Sequence, residues 1–221
     1  MSFKVLSAKL AASVDQELMS SGGLSIDQLV IYGTSGLCVN LLTKVLLGGD
    51  GLVAARHLKL WGFNPSIYYP KRSSKPLFQG LETQLKNLNI EFIDSDLDPH
   101  TIESKFQLII DSIFGFSFNT SGGIRPPFDE LIKTVNKTTI PILSVDIPSG
   151  WDVDEGYVSG GLRSPDVLIS LTAPKPVANH MSQNTQHFVG GRFIGKEFAE
   201  KYGIDYYDYK GSEQTLKLSR E

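Results

Sequence analysis

The chain has 221 residues, 41% of them hydrophobic and 10% aromatic, with a formal net charge of −3. That length and composition suit one large domain spanning 1–221, and the acidic balance counts against nucleic acid as a partner. The single cysteine, Cys38, excludes an intrachain disulfide framework and a cysteine-rich zinc site and fits a reducing compartment. No apolar run reaches the roughly 20 residues a membrane-spanning helix needs, so no membrane association is expected.

Leu10, Val14 and Leu18 recur at helical spacing and predict a first helix, ended by Ser20-Ser21-Gly22-Gly23. Its Lys4 and Lys9 stand against Asp15 and Glu17, without the basic-then-apolar plan of a secretory signal. The acids also weaken a mitochondrial address, so the cytoplasm is the expected compartment and the mitochondrion the second. Ser25 looks like the cap of another helix, and residues 30–47 carry no clear period. Gly48-Gly49-Asp50-Gly51 reads as a turn before a helix over Leu52–Gly62. A short strand, Ser66–Tyr69, precedes a helix with Leu77, Leu81, Leu85 and Leu88 along one side. Strands follow at Ile90–Ile93 and Phe106–Ile110, then a helix over Phe128–Val135 and a strand ending at Val145. Val167–Leu171 and His187–Ile194 complete the strands, Lys196–Tyr202 forms a short helix, and the tail after Tyr206 reads as a loose end. This alternation predicts a three-layer αβα, Rossmann-like fold around a mainly parallel sheet.

Two strand ends carry the chemistry. Ile140–Val145 breaks into Asp146-Ile147-Pro148-Ser149-Gly150-Trp151, and Phe106–Ile110 into Asp111-Ser112-Ile113-Phe114-Gly115-Phe116-Ser117-Phe118. Carboxylates and hydroxyls at the carboxyl edge of parallel strands sit where open α/β sheets place their ligands. Each piece alone is equally an ordinary turn or cap; the pair suggests one oxygen-rich site. Gly48 to Gly51 before a helix fits a phosphate cradle or a plain tight turn, and it is neither a Walker loop nor a dinucleotide fingerprint. Arg125 could grip a phosphate, but the reading favoured for it is a solvated loop residue. His57, His100, His180 and His187 show no metal-ligand spacing, and no serine sits in a nucleophile elbow.

Together, the runs 48–58 (G-G-D-G-L-V-A-A-R-H-L), 69–72 (Y-P-K-R), 111–118 (D-S-I-F-G-F-S-F), 144–153 (S-V-D-I-P-S-G-W-D-V) and 171–176 (L-T-A-P-K-P) resemble the NAD(P)H-hydrate epimerase family. Residues 189–194 (V-G-G-R-F-I) match its C-terminal end. The resemblance implies interconversion of the R and S forms of hydrated NADH and NADPH by a protein that usually dimerises. It puts the catalytic aspartate at Asp146, which also contacts substrate, and a potassium site partly at Asp111 and Ser149. It puts nucleotide-binding loops at Gly48, Gly49 and Asp50 and at Gly115, Phe116, Ser117 and Phe118. Asp146→Ala is expected to abolish epimerisation and leave the fold intact. The alternative is a non-catalytic, nucleotide- or RNA-associated dimerisation module of the same fold.

One segment departs from the family pattern. The loop normally reads G-P-G-N-N-G-G-D-G after the first sheet strand; here the glycines follow Lys44-Val45-Leu46-Leu47 and both asparagines are absent. Residues 30–47 are also too few for the helix and strand the family places there. Lys44–Leu47 is expected to stand in as the strand, with weakened potassium and nucleotide binding.

Overall fold

The computed structural model describes residues 4–20, 45–46, 49–95, 97–115, 118–192 and 194–219. Six helices lie among them: α1 (Ala8–Ser20), α2 (Gly49–Leu60), α3 (Pro76–Asn87), α4 (Pro99–Lys105), α5 (Phe128–Asn136) and α6 (Lys196–Tyr202). The strands are β1 (Val45–Leu46), β2 (Ser66–Tyr68), β3 (Glu91–Ile93), β4 (Ile109–Asp111), β5 (Ile142–Val145), β6 (Val167–Leu171), β7 (Gln186–Gly190) and β8 (Thr215–Leu218). One ladder runs β1-β2-β3 and the other β4-β5-β6-β7-β8. β1 also lies against β4, which gives the order β3-β2-β1-β4-β5-β6-β7-β8. The strand order reverses between β1 and β4, the switch point at which such sheets form a crevice.

The layers follow from side-chain alternation along the strands. Ile110 of β4 with Leu143 and Val145 of β5 packs with Leu52, Ala55 and Leu58 of α2 and Leu81 and Leu85 of α3. Their neighbours Ile109 and Ile142 pack instead with Ile102 of α4 and Leu131, Ile132 and Val135 of α5. Strands apolar on both faces are the mark of a sheet covered on both sides. α1 buries Ala11, Val14 and Leu18 against Ala173, Ala199 and Ile204, and Leu6 N donates to Pro174 O at 2.8 Å. The N-terminal segment is thereby fastened to the loop after β6.

Four expectations need correction. Leu77 does not join the core stripe of α3; it is 38% exposed, because it sits in the first turn, before the helix meets the sheet. α4 has no counterpart in the sequence reading: only Ile102 of its seven residues is buried, too little apolar content for a periodic signal. β7 stops at Gly190 rather than Ile194. The tail is not loose, because β8 pairs antiparallel with β7, Gly190 opposite Thr215 and His187 opposite Leu218. Of the atypical segment, Val45 and Leu46 pair with Ile67 and Tyr68 in parallel; the rest of 30–47 lies outside the described residues. No helix among the described residues is long and apolar enough to cross a membrane.

Candidate active site

β4 and β5 run parallel with Asp111 opposite Ser144, so the two acidic strand ends are neighbours. The Asp111 carboxylate is closed on by its surroundings. Ser144 Oγ and Ser149 N donate to its Oδ2, each at 2.8 Å, and Ser149 Oγ donates to its Oδ1. Ser149 Oγ also accepts from Phe114 N at 3.1 Å, which ties the loop after β4 to the loop after β5. Thr120 Oγ1 adds a second tie, to Asp152 Oδ2 at 3.1 Å. Burial pushes the Asp111 carboxyl up, while its hydrogen bonds with Ser149 and Ser144 oppose the shift. Among the described residues no basic side chain forms an ion pair with it.

Gly150 explains how the β5 loop comes so close. Its φ is +85°, and a Cβ there would stand 2.5 Å from Ile124 Cδ1 and 2.9 Å from Gly161 Cα. Only glycine meets both conditions.

Asp146 follows β5 with a left-handed backbone, φ 66°, which a non-glycine residue keeps only where its surroundings demand it. Its amide donates to Ile169 O at 2.8 Å. Its Oδ1 accepts from Leu171 N at 3.2 Å and from Lys175 Nζ. The side chains of Lys175 and Asp146 are 5% and 6% exposed, a buried ion pair. The expectation that Asp146→Ala would leave the fold untouched is therefore revised. Removing the carboxylate strands a buried ammonium, a change that costs about 3–5 kcal/mol where it has been measured.

Two further carboxylates feel this pair. Burial pushes Asp50, in the first turn of α2, up to about 6, helped by the charges of Asp146 and Asp15 and opposed by Lys175. Burial likewise pushes Asp15 of α1 up to about 6, with Lys175 opposing and Asp146 adding to the shift. One lysine thus pairs with Asp146 and lies within electrostatic reach of Asp15 and Asp50. Neither Lys175 nor Asp15 stands out in the sequence. A lysine between two prolines has no pattern, and the one available signal is that A-P-K-P follows a third strand ending at the same edge.

A cavity of about 580 Å³ opens at the loop after β4, lined by Ile113, Phe114, Gly115, Phe118, Lys71 and Arg125 among others, and Phe114 ties it to Ser149. The Phe114 and Phe118 rings stack across 4.2 Å at 14°. Gly115 and Phe118 thus belong to one cavity wall, and Gly49 and Asp50 open α2 at the neighbouring strand end. Gly48, Phe116 and Ser117 lie outside the described residues. Arg125, read as a solvated loop residue, is exposed yet faces the cavity together with Lys71. Among the described residues no group of three or more His, Cys, Asp or Glu side chains could hold a metal.

A doubly covered, largely parallel sheet with acids at its carboxyl edge defines a Rossmann-like α/β domain with its candidate site at that edge, next to the switch point. The chain belongs to the family described as YjeF-related protein N-terminus, whose model matches residues 42–177. It is 44% identical over 238 aligned positions to the NAD(P)H-hydrate epimerase of Fusarium vanettenii, covering 99% of this chain and 97% of that protein. It is 45% identical over 234 positions to the NAD(P)H-hydrate epimerase of Yarrowia lipolytica, covering 98% of this chain and 94% of that one. The crystal structure of yeast YNL200c matches with a TM-score of 0.88 and 38% identity, over 97% of this chain and 100% of that one. Both sequence alignments are longer than the 221 residues of this chain. Each relative therefore carries residues for which this chain has no counterpart.

Proposed function

We propose that this protein is an isomerase that interconverts the R and S forms of hydrated NADH and NADPH, the reaction for which its relatives are named. The observation that carries the reading onto particular atoms is the Asp111–Ser149–Asp146 edge, two adjoining acidic strand ends beside a cavity with aromatic and basic walls. Inverting a hydroxylated ring carbon needs a group that accepts a proton and returns it, and a positioned carboxylate does both. Asp146 takes that role. Asp50, whose carboxyl burial pushes up to about 6, is the second group able to hold a proton there. Gly48 and Gly49 approach the nucleotide with their backbone. Gly115 to Phe118 contact the remainder of the dinucleotide, whose phosphates Lys71 and Arg125 attract.

The same reading assigns a potassium ion to Asp111 and Ser149. The donors are of the right kind, because a monovalent hard cation takes carboxylate, hydroxyl and carbonyl oxygens, and Asp111 is a buried acid without a basic partner among the described residues. When bound, the cation supplies local positive charge that fixes the β4 and β5 loops and steadies an anionic substrate. A homodimer of single-domain chains and a cytoplasmic location, with the mitochondrion second, complete the proposal. The RNA-associated alternative is not favoured: the net charge is −3, which works against a polyanion.

The test is direct. One pure epimer of hydrated NADH is supplied and its conversion to the equilibrium mixture is followed by chromatography. Conversion well above the spontaneous rate, lost in Asp146→Asn, is expected. A rate equal to the spontaneous one would remove the assignment. Lys71→Ala and Arg125→Ala should raise KM with kcat little changed, because both lie on the cavity wall away from Asp146.

A further inference from the structure

Lys175 sits in Ala173-Pro174-Lys175-Pro176, just beyond β6, and is 4% exposed. Its ammonium bridges two acceptors, Asp146 Oδ1 and Leu171 O, the latter at 2.7 Å. The amide of that same Leu171 donates to Asp146 Oδ1 at 3.2 Å. One end of β6 thus holds one carboxylate oxygen from two directions, while Ile169 O holds the backbone amide of Asp146. Among the described residues no hydrogen-bond donor reaches Oδ2. The clamp therefore leaves one oxygen occupied and the other available.

Stability alone does not account for such a pair. Two buried charges lose their hydration, and apolar side chains of similar size commonly serve at least as well. The charges around it add to the case: Asp15 of α1 and Asp50 of α2 lie within electrostatic reach of both Asp146 and Lys175. Without Lys175, three clustered carboxylates would compete to take up protons.

Resting on the epimerase reading, we propose that Lys175 is a positioning residue for the reaction: it fixes Oδ1 of Asp146 and aims Oδ2 at the substrate without touching the substrate itself. The bridge to Leu171 O sets the ammonium, the ammonium sets Oδ1, and the carboxylate plane follows.

The experiment compares the unaltered protein with K175M, with K175C, and with K175C treated with 2-bromoethylamine, which rebuilds a lysine-like ammonium on sulfur. Unaltered protein given the same reagent controls for Cys38. K175M should lower kcat about a hundredfold with KM within about twofold, and the acid limb of the rate profile should move to higher pH. The alkylated K175C should recover most of kcat, whereas untreated K175C should not. Unchanged kcat, or a KM rise that accounts for the whole loss, would overturn the proposal, the latter because it would make Lys175 a substrate contact. Carboxyl-carbon NMR of Asp146 gives a readout independent of turnover: at fixed pH its signal should move in K175M and return in the alkylated K175C, and an unmoved signal also overturns the proposal. If the fold of K175M is compromised, the neutral double variant D146N/K175M should regain thermal stability over K175M without regaining activity; activity in the double variant would refute the role. Failure of the unaltered protein to equilibrate the epimers removes the epimerase reading, and the NMR comparison still decides what Lys175 does to Asp146.

Discussion

Ser149 closes on Asp111 twice, its amide on Oδ2 at 2.8 Å and its hydroxyl on Oδ1. A single residue of the β5 loop thereby satisfies both oxygens of the acid that ends β4. The same hydroxyl accepts from Phe114 N, so the position of the cavity wall depends on it too.

Ser149→Ala should accordingly act on stability and on cation response together. Losing the hydroxyl leaves Phe114 N and one carboxylate oxygen short of a buried partner, at about 1–3 kcal/mol for each such group. Potassium chloride should raise the melting temperature of the unaltered protein above that in lithium chloride of equal ionic strength, and S149A should abolish the difference. The expected rise is small, since the loop asparagine of the family pattern is absent; grafting G-N-N-G-G-D-G with a full upstream strand should enlarge it. Identical melting curves in both salts would count against the cation site.

Asp146→Asn is the cleaner probe of catalysis than Asp146→Ala. Asparagine tolerates the left-handed backbone that Asp146 adopts, φ 66°, and can still accept from Leu171 N and Lys175. Epimerisation should fall by about 10²–10⁴, with the melting temperature changing less than in the alanine variant. Equal activity in D146N would mean that another group moves the proton.

Asp50 and Asp15 make stability depend on pH in an unusual direction. Burial pushes both carboxyls up to about 6 in the fold, from an ordinary aspartate value of about 3.8, so the native state binds more protons than the unfolded chain between those values. Their contribution is complete below about 3.8 and is lost as pH rises through about 6. Asp50→Asn should therefore raise the melting temperature at pH 7.5 by an amount worth roughly 1–3 kcal/mol, with little difference at pH 3.5. It should lower activity, if Asp50 holds a proton for the reaction. Melting curves of the two proteins across this range would check the sign.

Much of this centre could be read from the chain, and the reason is local. Asp111 and Asp146 each end a β-branched apolar run, and a strand followed by Asp and Gly announces a carboxyl-edge loop whatever the rest of the fold does. Lys175 and Asp15 could not be read that way. Their meaning comes from α1 packing on the loop after β6, a contact between residues far apart in sequence. α4 was hidden by its composition, although Asp98, whose side chain accepts from Thr101 N at 3.0 Å, is a readable cap before Pro99. β8 was within reach: Thr215-Leu216-Lys217-Leu218 alternates polar and apolar, yet its place at the chain's end argued for a tail.

Gly150→Ala should be among the more damaging single-atom changes available. It combines a strained left-handed backbone with a clash against Ile124 and Gly161, and relief of either displaces Ser149 next door. A loss of about 2–4 kcal/mol is expected, with a fall in activity beyond what reduced stability explains. Urea melts read the first, and assays well below the melting temperature the second. A variant as stable as its parent would show that the loop has room to yield.

The three-strand run β1-β2-β3 and the five-strand run β4-β5-β6-β7-β8 meet at a seam where β1 lies against β4, with Leu52, Ile67, Ile110 and Val145 in one core across it. Contiguous cooperative units of this kind can open separately. Asp50 and Lys71 stand on one side of the seam, and Asp111, Asp146 and Arg125 on the other. A dinucleotide lying across them would act as a splint. Amide hydrogen exchange should then show the three-strand half exchanging faster than the five-strand half in the free protein, and the two converging when the substrate is bound.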